Sequence, residues 1–103
     1  MGNKAKSLNL LGLAMRAGQL VTGEEGVLKE IRGNKAQLVL IATDAGASTH
    51  KRIQDKTRYY EIPFYDGFTQ AELSHAIGRS RTTIAVMDAG FAKKLKELLQ
   101  NEG

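Results

Sequence analysis

Apolar and polar residues change their spacing several times along the chain, from helical intervals to unbroken apolar runs. Leu8, Leu11 and Met15 follow one another at intervals of three and four, which predicts a helix over residues 3–17. Residues 38–42 are apolar without alternation, which indicates a strand covered on both faces. A sheet covered by helices accounts for both patterns. The sequence therefore predicts an α/β fold: a three-layer α/β/α sandwich with a small, mostly mixed central sheet.

The other elements follow from the same spacing and from the turn residues between them. Further strands are predicted at residues 19–22, 61–65 and 82–87, and further helices after residue 23, over about 49–58, over 69–78 and after residue 88. Glycines are expected to end the first two helices, at Ala17-Gly18 and Gly33-Asn34. Ser48 is the expected N-cap of the third helix and Asp88 that of the last. Pro63 predicts an edge strand, because proline cannot donate a ladder hydrogen bond.

Length and composition narrow the class of protein. A chain of 103 residues with 42% hydrophobic residues fits one globular domain, residues 1–103. The absence of cysteine excludes a disulfide framework, a thiolate metal site and a cysteine nucleophile. The sequence shows no secretory signal and no apolar stretch of the ~20 residues that span a bilayer. We expect a cytoplasmic monomer with no membrane partner.

The charge balance favours an acidic partner. Fifteen Lys or Arg residues outnumber eleven Asp or Glu residues, which gives a net charge of +4. Nucleic acid is the leading candidate, although solvated helix faces also carry such charge. The basic residues that cluster along the sequence are Lys29, Arg32 and Lys35, then Lys51, Arg52, Lys56 and Arg58, then Arg79 and Arg81.

A nucleotide-hydrolysing site does not fit the glycine pair Gly18 and Gly23. Their spacing matches the opening of a P-loop, in which a Lys and a Ser or Thr follow. Here Glu24 and Glu25 follow, and two carboxylates repel a triphosphate. The glycines are better explained as a helix stop and a tight strand-to-helix turn.

The sequence gives equally little support for acid–base catalysis and for metal binding. His50 and His75 have no His, Asp or Glu at the spacing of metal ligands. Asp44 follows the central strand, where α/β enzymes place catalytic groups, but Ala45-Gly46-Ala47 beside it offers no second functional group. We therefore predict a protein that is not an enzyme, with no catalytic residues, no metal site and no cofactor.

The order of several short segments resembles a known family. These segments are residues 22–29 (TGEEGVLK), 36–45 (AQLVLIATDA), 62–64 (IPF), 73–78 (LSHAIG) and 84–88 (IAVMD). Together they are similar to the kink-turn-binding ribosomal-protein superfamily, the L7Ae/L30e-like proteins, and within it to the bacterial YlxQ-like branch. The resemblance covers about residues 8–99.

The resemblance implies an α/β/α sandwich that binds kink-turn RNA, a sharply bent helix–bulge–helix element with tandem sheared G·A pairs. In the family, a glycine-containing turn and the start of the second helix enter the RNA groove. Gly23 matches the family glycine, and Lys29 matches a lysine that would contact phosphate or a guanine edge. Glu25 stands where the family usually has Asn and Gly26 where it has Glu, so that Glu24 is the candidate for the carboxylate role.

The resemblance implies a second RNA contact at the loop before the last strand. That loop usually offers apolar residues that cover a flipped base, whereas here it is short and basic. Arg79 and Arg81 are expected to grip phosphates or to stack on a base. The residues predicted to bind RNA are Gly23, Glu24, Glu25, Gly26, Lys29, Arg79, Ser80, Arg81 and Thr82, with Lys35, Lys51 and Arg52 as peripheral phosphate contacts.

Two functions from different classes remain open at this point. The first is a ribosomal or translation-associated RNA-binding protein that recognises a kink-turn or similar bent RNA and relies more on phosphate contacts than its relatives do. The second is a protein-interaction or assembly module of the translation machinery, with weak and non-specific RNA affinity. The altered residues at positions 25 and 26 favour the second.

Overall fold

The computed structural model describes residues 2–100 and arranges them in three layers around a four-stranded sheet. The strands are β1 (Leu20–Thr22), β2 (Leu38–Ile41), β3 (Phe64–Tyr65) and β4 (Thr83–Val86). Their order across the sheet is β1-β4-β2-β3. β4 runs antiparallel to β1 and β2, and β3 runs parallel to β2. The sheet is mixed, as the sequence predicts.

Helices cover both faces of this sheet, which confirms the predicted sandwich. They are α1 (Asn3–Arg16), α2 (Glu24–Arg32), α3 (Ala47–Tyr59), α4 (Gln70–Ile77) and α5 (Ala89–Gln100). Leu11, Leu73 and Leu95 bring α1, α4 and α5 into one apolar cluster on one face. Val27, Ile31 and Ile53 bring α2 and α3 into a second cluster on the other face.

The strand β2 shows why an unbroken apolar run was needed. All four of its residues are buried, because it lies inside the sheet between β4 and β3. Leu38 and Leu40 pack into the α1/α4/α5 cluster, while Val39 and Ile41 pack into the α2/α3 cluster. Side chains alternate between the faces of a strand, so a strand covered twice needs apolar residues at every position.

Two local predictions were wrong. Ser48 does not cap α3: the helix begins at Ala47, its N-cap is Gly46 with no side-chain cap, and Ser48 lies inside the first turn. The strand predicted at 61–65 is only the two residues of β3, because α3 continues to Tyr59 and Glu61 adopts a left-handed φ of 56°. Pro63 precedes β3 at the sheet edge and accepts the Val39 N–H at 2.9 Å, so the edge position is confirmed.

Side-chain caps fix the starts of α4 and α5. Asp88 accepts the Phe91 N–H at 2.9 Å, as predicted. Thr69 and Glu72 form a reciprocal capping box, in which each side chain accepts the other residue's backbone N–H. Lys4 from α1 lies 2.7 Å from the Glu72 carboxylate. The Lys4 hydrogen bond, together with the Thr69 N–H, lowers the pKa of Glu72.

Candidate nucleic-acid interface

Gly23 forms the turn that the sequence singled out between β1 and α2. Its φ of 95° and ψ of 146° belong to a region that essentially only glycine adopts without strain. Its N–H donates to the Thr83 carbonyl at 3.0 Å, and its carbonyl accepts the Val27 N–H at 3.0 Å. The turn is therefore anchored to the start of β4 on one side and to the first turn of α2 on the other.

Gly26 has a packing role that the sequence did not reveal. A Cβ at this position would lie 3.0 Å from Val21 Cγ1, so the first turn of α2 packs tightly on β1. A side chain here would require Val21 or α2 to shift by a few tenths of an ångström.

The two glutamates after the turn differ in their surroundings. Glu24 is directed towards α3, where its carboxylate accepts hydrogen bonds from Thr49 Oγ1 at 3.0 Å and from Arg52 Nη1. Glu25 is exposed on the outer side of α2. Both lie in the first helical turn, where the helix dipole favours negative charge. Glu24 thus already has partners for both oxygens, and Glu25 presents a free carboxylate surface beside the turn.

The loop between α4 and β4 lies next to Gly23. Arg81 Nε is 3.9 Å from the position that a Cβ on Gly23 would occupy. The guanidinium Nη1 donates to the Ser80 carbonyl at 2.7 Å, and the Arg81 N–H donates to Ser74 Oγ at 3.1 Å. Ser74 Oγ also donates to the Arg81 carbonyl at 3.3 Å. α4 therefore holds this loop by a side chain that sequence reasoning missed.

Other polar contacts tie the same loop to the end of β2. Ser80 Oγ accepts a hydrogen bond from Gln70 Nε2 at 3.3 Å, and the Gln70 N–H donates to Asp44 at 2.8 Å. Thr82 accepts the Ala42 N–H at 2.8 Å through its carbonyl. Arg79 is exposed beside these residues. The predicted contact Lys29 is exposed in the last turn of α2. We call the turn Gly23–Gly26 and the loop 79–82 the turn–loop surface.

The peripheral cations lie in different places. Lys51 pairs with Asp55 at 3.1 Å along α3, and Arg52 pairs with Glu24, so both lie at the start of α3 near the turn. Lys35 lies at the opposite end of the molecule: the Gln37 N–H bonds to Val86, at the end of β4 distant from Thr83. The structure therefore does not bring Lys35 to the turn–loop surface.

His50 and Asp44 each have a local polar partner. His50 Nε2 lies 3.0 Å from Asp66, a pair that sequence spacing did not reveal, and Asp44 caps the start of α4 through the Gln70 N–H. Within residues 2–100, no three His, Cys, Asp or Glu side chains are grouped as metal ligands would be. No helix in that range is both long and apolar enough to cross a bilayer.

A family model matches most of the chain. Residues 5–96 match the family described as "Ribosomal protein L7Ae/L30e/S12e/Gadd45 family". The chain belongs to this family.

Individual relatives place the chain in the YlxQ branch of the family. It is 48% identical over 99 residues to "RNA-binding protein YlxQ" of Enterococcus faecium, with 96% of each chain covered. It is 47% identical to the protein of the same name in Bacillus subtilis, over 87% of this chain and 91% of that one. It is 33% identical to "Large ribosomal subunit protein eL30" of Neurospora crassa, over 87% of this chain and 85% of that one. These names describe RNA-binding and ribosomal proteins rather than enzymes.

Solved structures agree with the fold. A Bacillus halodurans protein of unknown function matches with a TM-score of 0.90 and 45% identity, over 94% of this chain and 99% of that one. A Giardia lamblia protein titled "15.5kD RNA binding protein" matches with a TM-score of 0.83 over 99% and 89%. Its identity is 17%, so it supports the fold alone.

Proposed function

We propose that this chain is an RNA-binding protein that docks a kink-turn or similarly bent RNA element on its turn–loop surface. One observation carries the proposal: the Gly23 turn and the basic loop, far apart in sequence, lie side by side at one end of the sheet. The RNA-binding relatives support the ligand class. The kinship with a large-subunit ribosomal protein supports a place beside the translation machinery in the cytoplasm.

The mechanism we propose is recognition of shape by a surface formed before RNA arrives. Gly23 lets the backbone approach the RNA closely, because it carries no side chain. Backbone N–H groups at the start of α2 and the positive end of its dipole face the groove. Lys29, Arg79 and Arg81 contact phosphates, which supply affinity without reading sequence. The protein stabilises the bend by binding the bent state preferentially.

Base reading is the part of the family mechanism that this chain changes most. A carboxylate only accepts hydrogen bonds, so Glu25 can take a guanine amino or imino proton but cannot donate to guanine O6. Glu24 is held by Thr49 and Arg52, so it would contact RNA only by exchanging those partners. We therefore propose that phosphate contacts and shape contribute more to affinity than base contacts do.

A gel-shift comparison at physiological salt tests the proposal. The kink-turn RNA is compared with the same RNA in which the G·A pairs are disrupted. Tighter binding of the intact element is expected. Equal affinity for both would overturn recognition of the bend and leave a general polyanion binder.

The exposed carboxylate of Glu25 beside the turn favours the second candidate, an assembly module that contacts other proteins. Co-purification from nuclease-treated extract distinguishes the two. Partners that survive nuclease treatment, together with no binding of the kink-turn, would favour the assembly module. Partners lost with the RNA would favour RNA docking.

A further inference from the structure

Tyr59, at the end of α3, is an exposed aromatic side chain that the turn–loop surface does not use. Its exposed fraction is 78%, whereas Leu13 at 49% is the other large hydrophobic residue exposed within residues 2–100. Its ring meets that of Tyr60 edge to face, with centroids 5.0 Å apart. Tyr60 packs against the α2/α3 cluster. Tyr59 therefore packs against a ring that is itself held by the core, and its own ring is exposed to solvent.

Position along α3 connects Tyr59 to the proposed RNA site. Arg52 faces α2, because it pairs with Glu24. Tyr59 is seven residues later and lies on the same side of the helix, about 10 Å further along the axis at 1.5 Å per residue. β1 and β2 both run antiparallel to β4, so the helices that follow them, α2 and α3, start at the same end of the sheet. The face between them leads from the turn to Tyr59.

Basic residues lie in the last turns of α2 and α3, at the same end of the molecule as Tyr59. Lys56 lies one helical turn before Tyr59, and the end of α2 adds further cations. Ile31, Ala36 and Ile62 share the α2/α3 cluster, so the ends of the two helices pack together. The cations at this end are Arg32, Lys35, Lys56 and Arg58, against the carboxylates Glu30, Asp55 and Glu61, of which Asp55 is already paired with Lys51. None of these four cations forms an ion pair with another residue that the structure describes. We call Tyr59 and these four cations the tyrosine end.

We propose that the tyrosine end is a second RNA contact, where the Tyr59 ring stacks on an unpaired base next to the bent element and the cations hold the adjoining phosphates. An aromatic ring within a basic surface is the combination that single-stranded RNA recognises, because each base offers a flat face and each linkage a negative charge. The inference rests on the proposed function for its ligand class. It gives Lys35 a role that the turn–loop surface does not.

Three kinds of RNA test this contact: the bent element alone, the same element with a short unpaired uridine extension on each end in turn, and the uridine oligonucleotide alone. Tyr59→Ala is expected to weaken binding of the extended element by about fivefold or more, since stacking contributes at least about 1 kcal/mol per base. Binding of the unextended element is expected to stay unchanged. Leu13→Ala, on the other helical layer, is the matched control for loss of an exposed apolar side chain. It should change the affinity for neither the extended nor the unextended element.

Tyr59→Phe separates stacking from other roles. The chain has no Trp and three Tyr, so its intrinsic fluorescence comes from tyrosine. The Phe variant should keep the affinity of the unchanged protein for the extended element but lose most of the fluorescence quenching that RNA causes. Equal affinity of the Ala variant and the unchanged protein for every extended RNA would overturn the proposal, and so would a Phe variant as weak as the Ala variant.

The same experiment distinguishes failure of this inference from failure of the proposed function. Binding of the uridine oligonucleotide that depends on Tyr59, without binding of the bent element, would overturn the kink-turn proposal and support this contact. Tight binding of the bent element with no effect of Tyr59 on any extended RNA would support the kink-turn proposal and overturn this contact.

Discussion

Leu11 and Gly23 represent two regions of the molecule that are held together in different ways. Leu11 is fully buried in the layer of α1, α4 and α5, where apolar packing dominates. Gly23 lies at the end of the sheet, where backbone geometry and polar contacts from Ser74, Gln70 and Asp44 fix the neighbouring loop. The comparison indicates that the first region sets the stability of the fold and the second sets the shape of its surface.

Leu11→Ala is expected to cause the largest loss of stability. Removing a fully buried leucine side chain leaves a cavity, and such changes cost about 2–5 kcal/mol of unfolding free energy. Urea denaturation measures the loss. Leu13→Ala is the control two residues later on the same helix, and it should change stability by less than about 0.5 kcal/mol because its side chain is half exposed. A similar loss in both variants would contradict the assignment of Leu11 to the core.

Gly23→Ala tests the second region directly. A residue other than glycine at this φ and ψ costs about 1–3 kcal/mol, so either stability falls or the turn changes shape. RNA affinity should fall as well. Gly46→Ala is the matched control, since Gly46 also precedes a helix but has a φ of −55° and open space around it. If both variants bound RNA equally well, the shape of the Gly23 turn would not matter for binding.

Lys29→Ala and Arg81→Ala should weaken RNA binding with little effect on stability. Each would remove one proposed phosphate contact, so the dependence of log affinity on log salt should lose ~1 from its slope. Titrations at several salt concentrations measure this. Lys94→Ala, which removes a charge from α5 on the other layer, should leave the slope nearly unchanged. Equal slopes for all three variants would indicate that these side chains act only through the net charge of the protein and not through local phosphate contacts.

The smallest expected effect concerns pH and the pair of Lys4 with Glu72. The pKa of Glu72 is lowered in the folded protein, so its contribution to stability is present above the unfolded pKa, near 4.5, and is lost as pH falls through the folded value. The pair is partly exposed, so the contribution should be at most about 1 kcal/mol.

Urea denaturation at pH 7 and near pH 3 measures that contribution in the unchanged protein and in Glu72→Gln. The Gln variant should lose less stability on acidification. Identical losses would show that this carboxylate does not contribute.

The sequence predicted the parts of the fold that depend on local spacing. The apolar run of β2, the glycine at the turn and the Asp88 cap each act within a few residues of their own position, and all three were confirmed. Ser48 failed because serine is a good N-cap only if the chain enters the helix there, and α3 enters at Gly46. The Thr69–Glu72 capping box was readable from its spacing but was not predicted.

Contacts between elements that are distant in the sequence could not be predicted from it. The Glu24–Arg52 pair joins α2 to α3, and the Ser74–Arg81 contact joins α4 to the basic loop. Each depends on how elements pack, which local spacing does not report. For the same reason the sequence did not show that Lys35, predicted as a peripheral phosphate contact, lies beyond the far end of α2.

The most direct test of the central claim measures the shape of the RNA. A kink-turn RNA carries a donor and an acceptor fluorophore on its two stem ends, and energy transfer is followed as protein is added at physiological salt. We expect a saturable rise in transfer, because the protein is proposed to bind the bent state preferentially, and a weaker response from Arg81→Ala. Binding that saturates with no change in energy transfer would contradict it.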